Sequence, residues 1–560
     1  MPPRLAPMLH APMNGLSRVL QPNNLRLLRR ALRAHESGDF AKAERLYNAL
    51  LRHDPANFDA LHGLGLLHYR HGRLDTALAL LQTALKGDGG RADGFADLGL
   101  VFHGLRRFND ALTSYDAGLR IAPADADLHN RRGVALLELR RPSDALAAFE
   151  CALGADANHR DALGNYGNAL LKLNRPSDAL AAYDRALAMV PDNAQLLTNR
   201  AVALRRLDRP HEAAMSASRA VASRSDFAQA RFVESVARLT LGDFDAGWRG
   251  YEARWSVGFL ASQRRNFAAP LWLGQQTGED TPDLSLAGKT ILLHAEQGFG
   301  DTIQFVRYAR LVAARGAKRV VLEVQRELVR LSANVAGVDA VVARGEALPA
   351  FDCHCPLLSL PLAFATQPTT IPADIPYIAP DDAALRHWRE RLPRRRPQQR
   401  ALLGIVWSGD PIHDNDLNRS LRLATLAPLL DLPDVSFVSL QHEVRDEDAA
   451  VLQSRPGIVR IGEQFRDFAD TAAVIAELDA VISVDTAVAH LAGAMGKPLF
   501  LLLPFAADFR WLRERSDSPW YPTARLHRQP KFGDWDGAVA ALTRDLTNAA
   551  LLPAARKRSA

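Results

Sequence analysis

The N-terminal half of the chain repeats one pattern of small and bulky apolar residues with a strict period. Alanines recur every 34 residues, and the residue four positions after each alanine is mostly bulky and apolar. This spacing places both residues on one face of a helix. A helix pair cannot bury such a face alone, so neighbouring pairs must stack. The alanines are Ala43, Ala77, Ala111, Ala145, Ala179 and Ala213, and their partners are Tyr47, Leu81, Tyr115, Phe149, Tyr183 and Ala217. The pattern predicts an α-helical solenoid of about seven helix pairs.

Glycines and prolines follow the same period. A glycine in the first helix of a pair lets the neighbouring helix approach closely, and a proline ends several second helices. These residues are Gly65, Gly99, Gly133 and Gly167, with Pro55, Pro123 and Pro191. The combined pattern resembles the tetratricopeptide repeat family, for which we expect a protein partner in the repeat groove. An aromatic cluster from Trp248 to Trp255 ends the array, and we expect it to cap the repeats and dock on the next domain.

From Lys289 the pattern changes to short β-branched strands that alternate with helices, as a parallel sheet requires. A helix is expected from about Asp301 to Arg315, after the first strand. The predicted strands are 290–294, 320–324 and 338–342, and then, after an Arg- and Pro-rich stretch, 402–407, 435–440, 458–461, 480–484 and 499–503. The sequence therefore predicts two Rossmann-like domains with parallel sheets, and a ligand-binding cleft at the carboxyl ends of the strands.

The domain bounds follow from these changes of pattern. A disordered N-terminus is expected at 1–23, where prolines recur, followed by repeats at 24–256, a connector at 257–288, an N-terminal Rossmann-like domain on the acceptor side at 289–390, a linker at 391–400, a C-terminal Rossmann-like domain at 401–549 and a tail at 550–560.

Composition narrows the class of protein. Hydrophobic residues make up 48% and charged residues 24% of the 560 positions, which is typical of globular proteins and excludes a largely disordered chain. A net charge of +6 mildly favours anionic ligands such as nucleotides, and we expect no nucleic-acid partner. Three cysteines favour a reducing compartment. Because we find neither a signal peptide nor a transmembrane segment, we expect a cytoplasmic protein, peripheral to the inner membrane if its acceptor belongs to the envelope.

A glycine loop lies between the first strand and its helix. Gln297, Gly298 and Gly300 precede or begin the helix, where glycines permit close backbone approach and the helix N-terminus attracts an anion or a polarised hydroxyl. Asp301 is a candidate site residue at the same point, although it could serve only as a helix cap.

Two motifs of the C-terminal domain carry groups suited to a nucleotide. Arg419 and Ser420 follow a flexible turn after a strand, and a guanidinium matches phosphate oxygens, although Arg419 could instead be a surface charge. Gln441 ends the next strand and could bind a base edge or a ribose.

The most specific motif runs from Ser483 to Ala494. A strand leads into a helix whose first-turn amides point at the cleft, with Thr486 able to donate to phosphate and His490 one turn along on the same face. Asp485 could only cap the helix, and His490 could be a hydrogen-bonded interior histidine.

At this point a second family resemblance is visible. Residues 290–545 resemble the heptosyltransferase family of lipopolysaccharide biosynthesis, which has the GT-B fold, and especially relatives that carry tetratricopeptide repeats in front. Gly300-Asp301 matches the family's Gly-Asp motif, whose Asp is the proposed general base. Asp485, Thr486 and His490 match its donor-binding Asp-Thr-Gly-x-x-His motif, with an alanine in place of the glycine. Arg419 falls where the family has a donor-binding Lys. A more distant likeness, of layout alone, is to O-linked N-acetylglucosamine transferases.

We therefore expect an inverting glycosyltransferase that needs neither metal nor cofactor. Asp301 would deprotonate the acceptor hydroxyl, the C-terminal domain would hold a nucleotide sugar, and the repeats would recruit the acceptor or a partner. Cys353-His354-Cys355 is interpreted as an edge strand, because a structural zinc site needs four ligands. The acceptor stays open between a protein, a lipid-linked glycan and lipopolysaccharide core. The alternative hypothesis is an inactive scaffold that binds peptides in the repeat groove.

Overall fold

The structure is a computed structural model that describes residues 22–274, 285–393, 400–413, 415–432, 435–549 and 551. The chain divides into two compact units, one ending at Pro191 and the other beginning at Asp192. Most of the expected disordered N-terminus, of the linker at 391–400 and of the C-terminal tail lies outside the described residues.

Antiparallel helix pairs follow one another from Pro22 to Tyr251. The six periodic alanines are all buried, and a side chain added at Gly167 would collide with the ring of Tyr183. The structure thus confirms the predicted solenoid. The helices are α1 Pro22–Glu36, α2 Phe40–His53, α3 Phe58–Arg70, α4 Leu74–Gly87, α5 Ala92–Gly104, α6 Phe108–Ile121, α7 Ala126–Glu138, α8 Pro142–Ala155, α9 Arg160–Lys172, α10 Pro176–Met189, α11 Ala194–Arg206, α12 Pro210–Ser223, α13 Ala228–Thr240 and α14 Phe244–Tyr251.

A residue in the left-handed conformation lies at the same turn position of each repeat, directly after the first helix of the pair. Glycine adopts this conformation freely, whereas other residues lose about 1–2 kcal/mol. The position is occupied by Gly38, Gly72, Arg106, Arg140, Asn174, Asp208 and Gly242, with φ between 52° and 80°. The period of 34 residues therefore extends through the turns. In four of the seven turns, a residue other than glycine adopts this strained backbone conformation.

Two parallel sheets form the α/β part of the second unit. The strands are β1 Thr290–His294, β2 Arg319–Val324, β3 Ala340–Ala343, β4 Cys353–Pro356, β5 Ala401–Val406, β6 Val435–Ser439, β7 Val459–Arg460, β8 Ala480–Val484, β9 Leu499–Leu503 and β10 Ala524–Arg528. Their orders are β3-β2-β1-β4 and β10-β9-β8-β5-β6-β7, with every neighbouring pair parallel. In each sheet the first strand lies inside, with the next two on one side and the fourth on the other, which is the Rossmann order. The predicted parallel α/β architecture is confirmed.

Short helices connect these strands. They are α15 Gly258–Ser262, α16 Phe299–Phe305, α17 Ala309–Ala314, α18 Val329–Ser332, α19 Leu360–Ala363, α20 Asp382–Arg389, α21 Asp416–Arg419, α22 Ala427–Leu430, α23 Asp446–Gln453, α24 Phe468–Glu477, α25 Ala487–Ala494 and α26 Trp535–Asn548. A 3₁₀ turn at Val306–Tyr308 separates α16 from α17, so the predicted continuous helix after β1 is two helices.

The last repeat helices, α11 to α14, belong to the second unit. Trp248 and Tyr251 lie in the same hydrophobic cluster as Phe305 and Phe509 of the α/β part. The ring centroid of Trp248 is 6.0 Å from that of Phe305 and 5.7 Å from that of Phe509. Among the described helices, none combines the length and apolar character needed to cross a bilayer.

Candidate functional site

The carboxyl ends of β5 and β8 meet in the middle of the six-stranded sheet. The strand order reverses between these two strands, so their outgoing loops leave a crevice between them. The residues after β5 begin with Trp407 and Ser408, and those after β8 with Asp485 and Thr486. Sheet topology therefore brings together two motifs that lie about eighty residues apart in the sequence.

Arg419 links these two motifs. Its Nη1 donates a hydrogen bond of 3.2 Å to the main-chain oxygen of Asp485, and a Cβ added at Gly409 would lie 2.5 Å from its Nη2. Its Nε is buried and makes no hydrogen bond within the described part of the chain. Asp416 is 3.9 Å from Arg419, but its carboxylate pairs more closely, at 2.6 Å, with Arg445. Arg419 thus carries a buried N–H group without a partner among the described residues, next to the loop after β5.

Ser420 and Gln441 hold the loop after β5. The Oγ of Ser420 accepts a hydrogen bond of 2.9 Å from the Gly409 N–H and donates one of 2.6 Å to Asp416. The Oε1 of Gln441 accepts from two successive main-chain N–H groups at the end of β5, at 3.3 Å each, and its Nε2 donates to the Ser408 carbonyl at 3.0 Å. Both side chains are engaged with the protein itself, and their predicted contact with a donor stays a prediction.

Helix α25 begins directly after β8 and carries the most specific motif. Thr486 is its N-cap residue, and its Oγ1 lies 3.1 Å from the Oγ of Ser483 without capping the helix amides. The first-turn N–H groups of α25 therefore receive no side-chain cap. The ring of His490 is buried, with Nδ1 2.9 Å from the Tyr521 hydroxyl and Nε2 3.8 Å from Asp485 Oδ1.

Burial and neighbouring charges set the protonation of this motif. Burial, together with the nearby guanidinium of Arg510, lowers the pKa of His490 to about 3, so the imidazole is neutral at physiological pH. Burial also raises the pKa of Asp485, and the nearby Asp508 carboxylate adds to that effect. The positive charge of the site therefore comes from arginines and not from the histidine.

Asp301 both caps α16 and forms an ion pair. Its Oδ2 accepts a hydrogen bond of 2.9 Å from the Gly298 N–H, and its Oδ1 pairs with Nη2 of Arg510. A carboxylate offers about four lone-pair sites, so these two partners leave acceptor capacity. The side chain is 18% exposed, which lets a hydroxyl reach it. Asp301 is therefore a cap of α16, and its role as a site residue stays a prediction.

Helices α16 and α25 touch at Gly300. A Cβ added there would lie 2.8 Å from Cδ2 of His490 and 3.5 Å from Cα of Ala487. Because α16 follows β1 and α25 follows β8, this contact joins the two sheets and sets the N-terminus of α16 beside the motif of α25. The Nε2 of Gln297 donates a hydrogen bond of 3.2 Å to the Tyr251 hydroxyl, which connects the glycine loop to the last repeat helix.

Arg510 is a site residue that the sequence analysis missed. It lies in the loop after β9, where its guanidinium bonds to Asp508 at 2.7 Å and to Gln304 at 2.8 Å and pairs with Asp301. Although burial lowers it, the pKa of Arg510 is raised by these two carboxylates. The available signal was an Asp-x-Arg sequence, Asp508 to Arg510, shortly after a strand end.

The segment Cys353-His354-Cys355 and three aromatic residues near the C-terminal end lie in the protein core. Cys353 and Cys355 are buried free thiols on β4, which lies at the edge of the four-stranded sheet as expected. The described residues contain no group of three or more side chains arranged to hold a metal ion. The rings of Trp511, Trp520 and Tyr521 are also fully buried.

Comparison with known proteins finds a family match in each half of the chain. The family model of the tetratricopeptide repeat matches residues 28–92, 97–160 and 165–223. The model of glycosyltransferase family 9 (heptosyltransferase) matches residues 466–502, a segment that contains β8 and α25. Protein FlbA of Caulobacter vibrioides (strain ATCC 19089 / CIP 103742 / CB 15) is 28% identical over 340 residues, which cover 56% of this chain and 55% of FlbA. The chain thus spans about half the length of that relative.

Solved repeat proteins are similar to parts of the chain. YrrB, a tetratricopeptide repeat protein with an unusual peptide-binding site, is 20% identical with a TM-score of 0.29, over 33% of this chain and 95% of YrrB. A tetratricopeptide repeat protein from Parabacteroides merdae ATCC 43184 is 18% identical with a TM-score of 0.37, over 43% of this chain and 94% of its own. The two family models alone place tetratricopeptide repeats in the N-terminal part of the chain and a segment similar to family 9 glycosyltransferases near its C-terminal end.

Proposed function

We propose that this protein transfers a sugar from a nucleoside-diphosphate sugar to a hydroxyl group of a protein or glycan acceptor, lipopolysaccharide included. The observation that carries the proposal is the contact at Gly300, which sets Asp301 beside the motif of Asp485, Thr486 and His490. That motif lies in the segment similar to family 9 glycosyltransferases. The repeats would recruit the acceptor or a protein partner.

Asp301 is the proposed general base. Its carboxylate is oriented by the cap of α16 and by Arg510, and its remaining lone pairs accept the proton of the acceptor hydroxyl. The hydroxyl oxygen attacks the anomeric carbon as the bond from that carbon to the diphosphate oxygen breaks. The diphosphate leaves with the bonding electrons. Because this is one direct displacement, the anomeric configuration inverts.

The donor is proposed to lie over the carboxyl ends of β5 and β8. Arg419 and the uncapped first-turn amides of α25 supply hydrogen bonds to the diphosphate, and Thr486 adds a hydroxyl. Ser420 and Gln441 keep the loop after β5 in shape. These groups offset the charge of the leaving diphosphate, so the proposal needs no metal ion.

A binding screen tests the donor. The full chain is heated with UDP-glucose, UDP-N-acetylglucosamine, GDP-mannose and ADP-heptose, because a ligand at 100 times its Kd stabilises a fold by about 2.7 kcal/mol. We expect one of them to stabilise the protein and Arg419→Ala to weaken that effect. Arg422→Ala is the matched control, since its side chain is 73% exposed and pairs with Glu447. If no nucleotide sugar binds at millimolar concentration, the proposal is wrong and the scaffold hypothesis replaces it.

A further inference from the structure

The loop between β9 and β10 connects the last repeats to the proposed base. We propose that Asp208, in the turn between α11 and α12, is a positioning residue for Asp301, and that α11 to α14 are part of the catalytic unit. This inference rests on the proposed function. The connection runs from Asp208 to Arg513, then through the two intervening loop residues to Arg510, which pairs with Asp301.

The first step is a bidentate ion pair between Arg513 and Asp208. The Nε of Arg513 lies 3.1 Å from Oδ1 of Asp208, and its Nη2 lies 3.1 Å from Oδ2 and 3.4 Å from the main-chain oxygen. Both side chains are about three-quarters buried, so solvent screens the pair less than a surface pair. A guanidinium that bonds to both oxygens of a carboxylate fixes the relative orientation of the two side chains as well as their distance. The end of α11 thereby determines where this part of the loop lies.

A second contact holds the same loop from the repeat side. Phe509, the residue before Arg510, is buried with its ring centroid 5.7 Å from Trp248 and 6.1 Å from Tyr251. Burial lowers the pKa of Arg205 on α11, and the Asp508 carboxylate counteracts this. The loop residues on both sides of Arg510 are therefore set by repeat residues.

The loop is strained where it leaves the 3₁₀ turn. Leu512 has φ 51° and ψ −163°, a region almost restricted to glycine, and Glu514 has φ 53°. Asp208 itself has φ 52°. Such residues are strained and persist only where surrounding contacts enforce them. The Arg513 pair is one of those contacts, so its loss lets the backbone relax and shifts the neighbouring Arg510.

The last step reaches the proposed base. Arg510 holds Oδ1 of Asp301 and also bonds to Gln304 on the same helix, so a shift of the guanidinium displaces the carboxylate and the first turns of α16. General-base catalysis needs the base within about 2.6–3.2 Å of the hydroxyl oxygen. A misplacement of about 1 Å, caused far from the chemistry, lowers a rate by about 100-fold.

The test compares Asp208→Ala with Asn174→Ala. Asn174 occupies the same left-handed turn position one repeat earlier, in the first unit, so both changes place an alanine in the same strained backbone. Three quantities are measured on the full chain: the Kd of the nucleotide sugar found in the screen, the rate of nucleoside diphosphate release, and amide hydrogen exchange of residues 299–305 and 509–515. In the Asp208→Ala protein we expect the Kd of the nucleotide sugar to stay within about twofold of the wild-type value. The rate of nucleoside diphosphate release should fall by about 10- to 100-fold, and amide hydrogen exchange should be faster in both segments. Asn174→Ala should change none of them.

A charge swap separates positioning from general destabilisation. Asp208→Arg combined with Arg513→Asp recreates the pair in reverse, and Arg106 and Arg140 demonstrate that this turn accepts arginine. The swap should recover most of the rate. The inference is overturned if Asp208→Ala matches Asn174→Ala, if its donor affinity falls together with its rate, or if the swap recovers nothing. If the wild-type protein neither binds nor turns over any donor, the proposed function fails. In that case, amide exchange of residues 299–305 that is faster in Asp208→Ala but not in Asn174→Ala would still support the link to Asp301. Unchanged exchange in Asp208→Ala would refute the link.

Discussion

Because α16 and α25 are in contact at Gly300, the substitution Gly300→Ala tests whether their close approach is needed for stability and activity. In Gly300→Ala the new Cβ would lie 2.8 Å from Cδ2 of His490, whereas carbon atoms pack best at about 3.5–4.0 Å. The imidazole cannot yield, because it is buried, stacked on Trp511 at 5.4 Å and 2.9 Å from the Tyr521 hydroxyl. The two helices must therefore separate.

Two opposing effects give the expected magnitude. Overpacking a buried contact costs about 1–3 kcal/mol. Replacing a helical glycine by alanine contributes about 0.5–1 kcal/mol in the other direction. The net loss of unfolding free energy in Gly300→Ala should thus be about 1 kcal/mol. The catalytic loss should be larger, because separation of the helices moves Asp301 from the donor motif, and a shift of about 1 Å costs about 100-fold in rate.

Tryptophan fluorescence during urea unfolding measures the stability effect. All eight tryptophans lie after Asp192, so the signal reports the second unit alone. Gly298→Ala is the matched control, because its Cβ would meet only the Asp301 carboxylate, at an ordinary 3.4 Å. In a His490→Ala background the clash is gone, so Gly300→Ala should become neutral or stabilising. An equal loss in both backgrounds, or a Gly300→Ala protein with wild-type stability and rate, would refute the reasoning.

Three further predictions concern the unit boundary, pH and metal. A fragment that begins at Asp192 should fold and bind the donor, whereas one that begins at 257 should not fold, because it loses the aromatic residues that α14 contributes to the core; circular dichroism and the binding screen check both. Burial lowers the pKa values of three histidines of the second unit to about 3, about 3 and about 4, namely His294, His490 and His527. The unfolded chain takes up these protons below about pH 6.5 and the folded chain does not, so the urea midpoint should fall as pH decreases from 6.5 to 4, and a flat profile would contradict this. Sugar transfer should continue in the presence of EDTA, because arginines and helix amides offset the charge of the diphosphate. A loss of rate that manganese or magnesium restores would contradict the proposed binding of the diphosphate.

The elements predicted from sequence are those set by local pattern. The alanine period predicted the solenoid because each 34-residue unit must bury the same apolar face against its neighbours. Runs of β-branched residues predicted most strands. Strand β10 was missed since Arg525, His527 and Arg528 interrupt its apolar pattern. The helix after β1 is broken at a 3₁₀ turn that periodicity does not reveal.

Long-range packing explains what the sequence could not supply. Periodicity shows that Trp248 and Tyr251 form an apolar face, but not that Phe509, more than 250 residues later, covers it. Arg510 lies 209 residues from Asp301, and only the fold brings the two charges together. The Asp301 and α25 motifs were visible because each sits at a strand end, where the Rossmann order places ligand-binding groups.

The central claim is that Asp301 acts as the base of a sugar transfer. The most direct measurement is the rate of nucleoside diphosphate release by Asp301→Asn and by the wild-type protein, at saturating nucleotide sugar, with donor Kd determined on the same samples. Asparagine keeps the size and one hydrogen-bond acceptor but cannot take the proton. The account predicts a Kd close to wild type and a rate lower by about 10²- to 10⁴-fold. A wild-type rate in Asp301→Asn would show that Asp301 is only the cap of α16 and that the account is wrong.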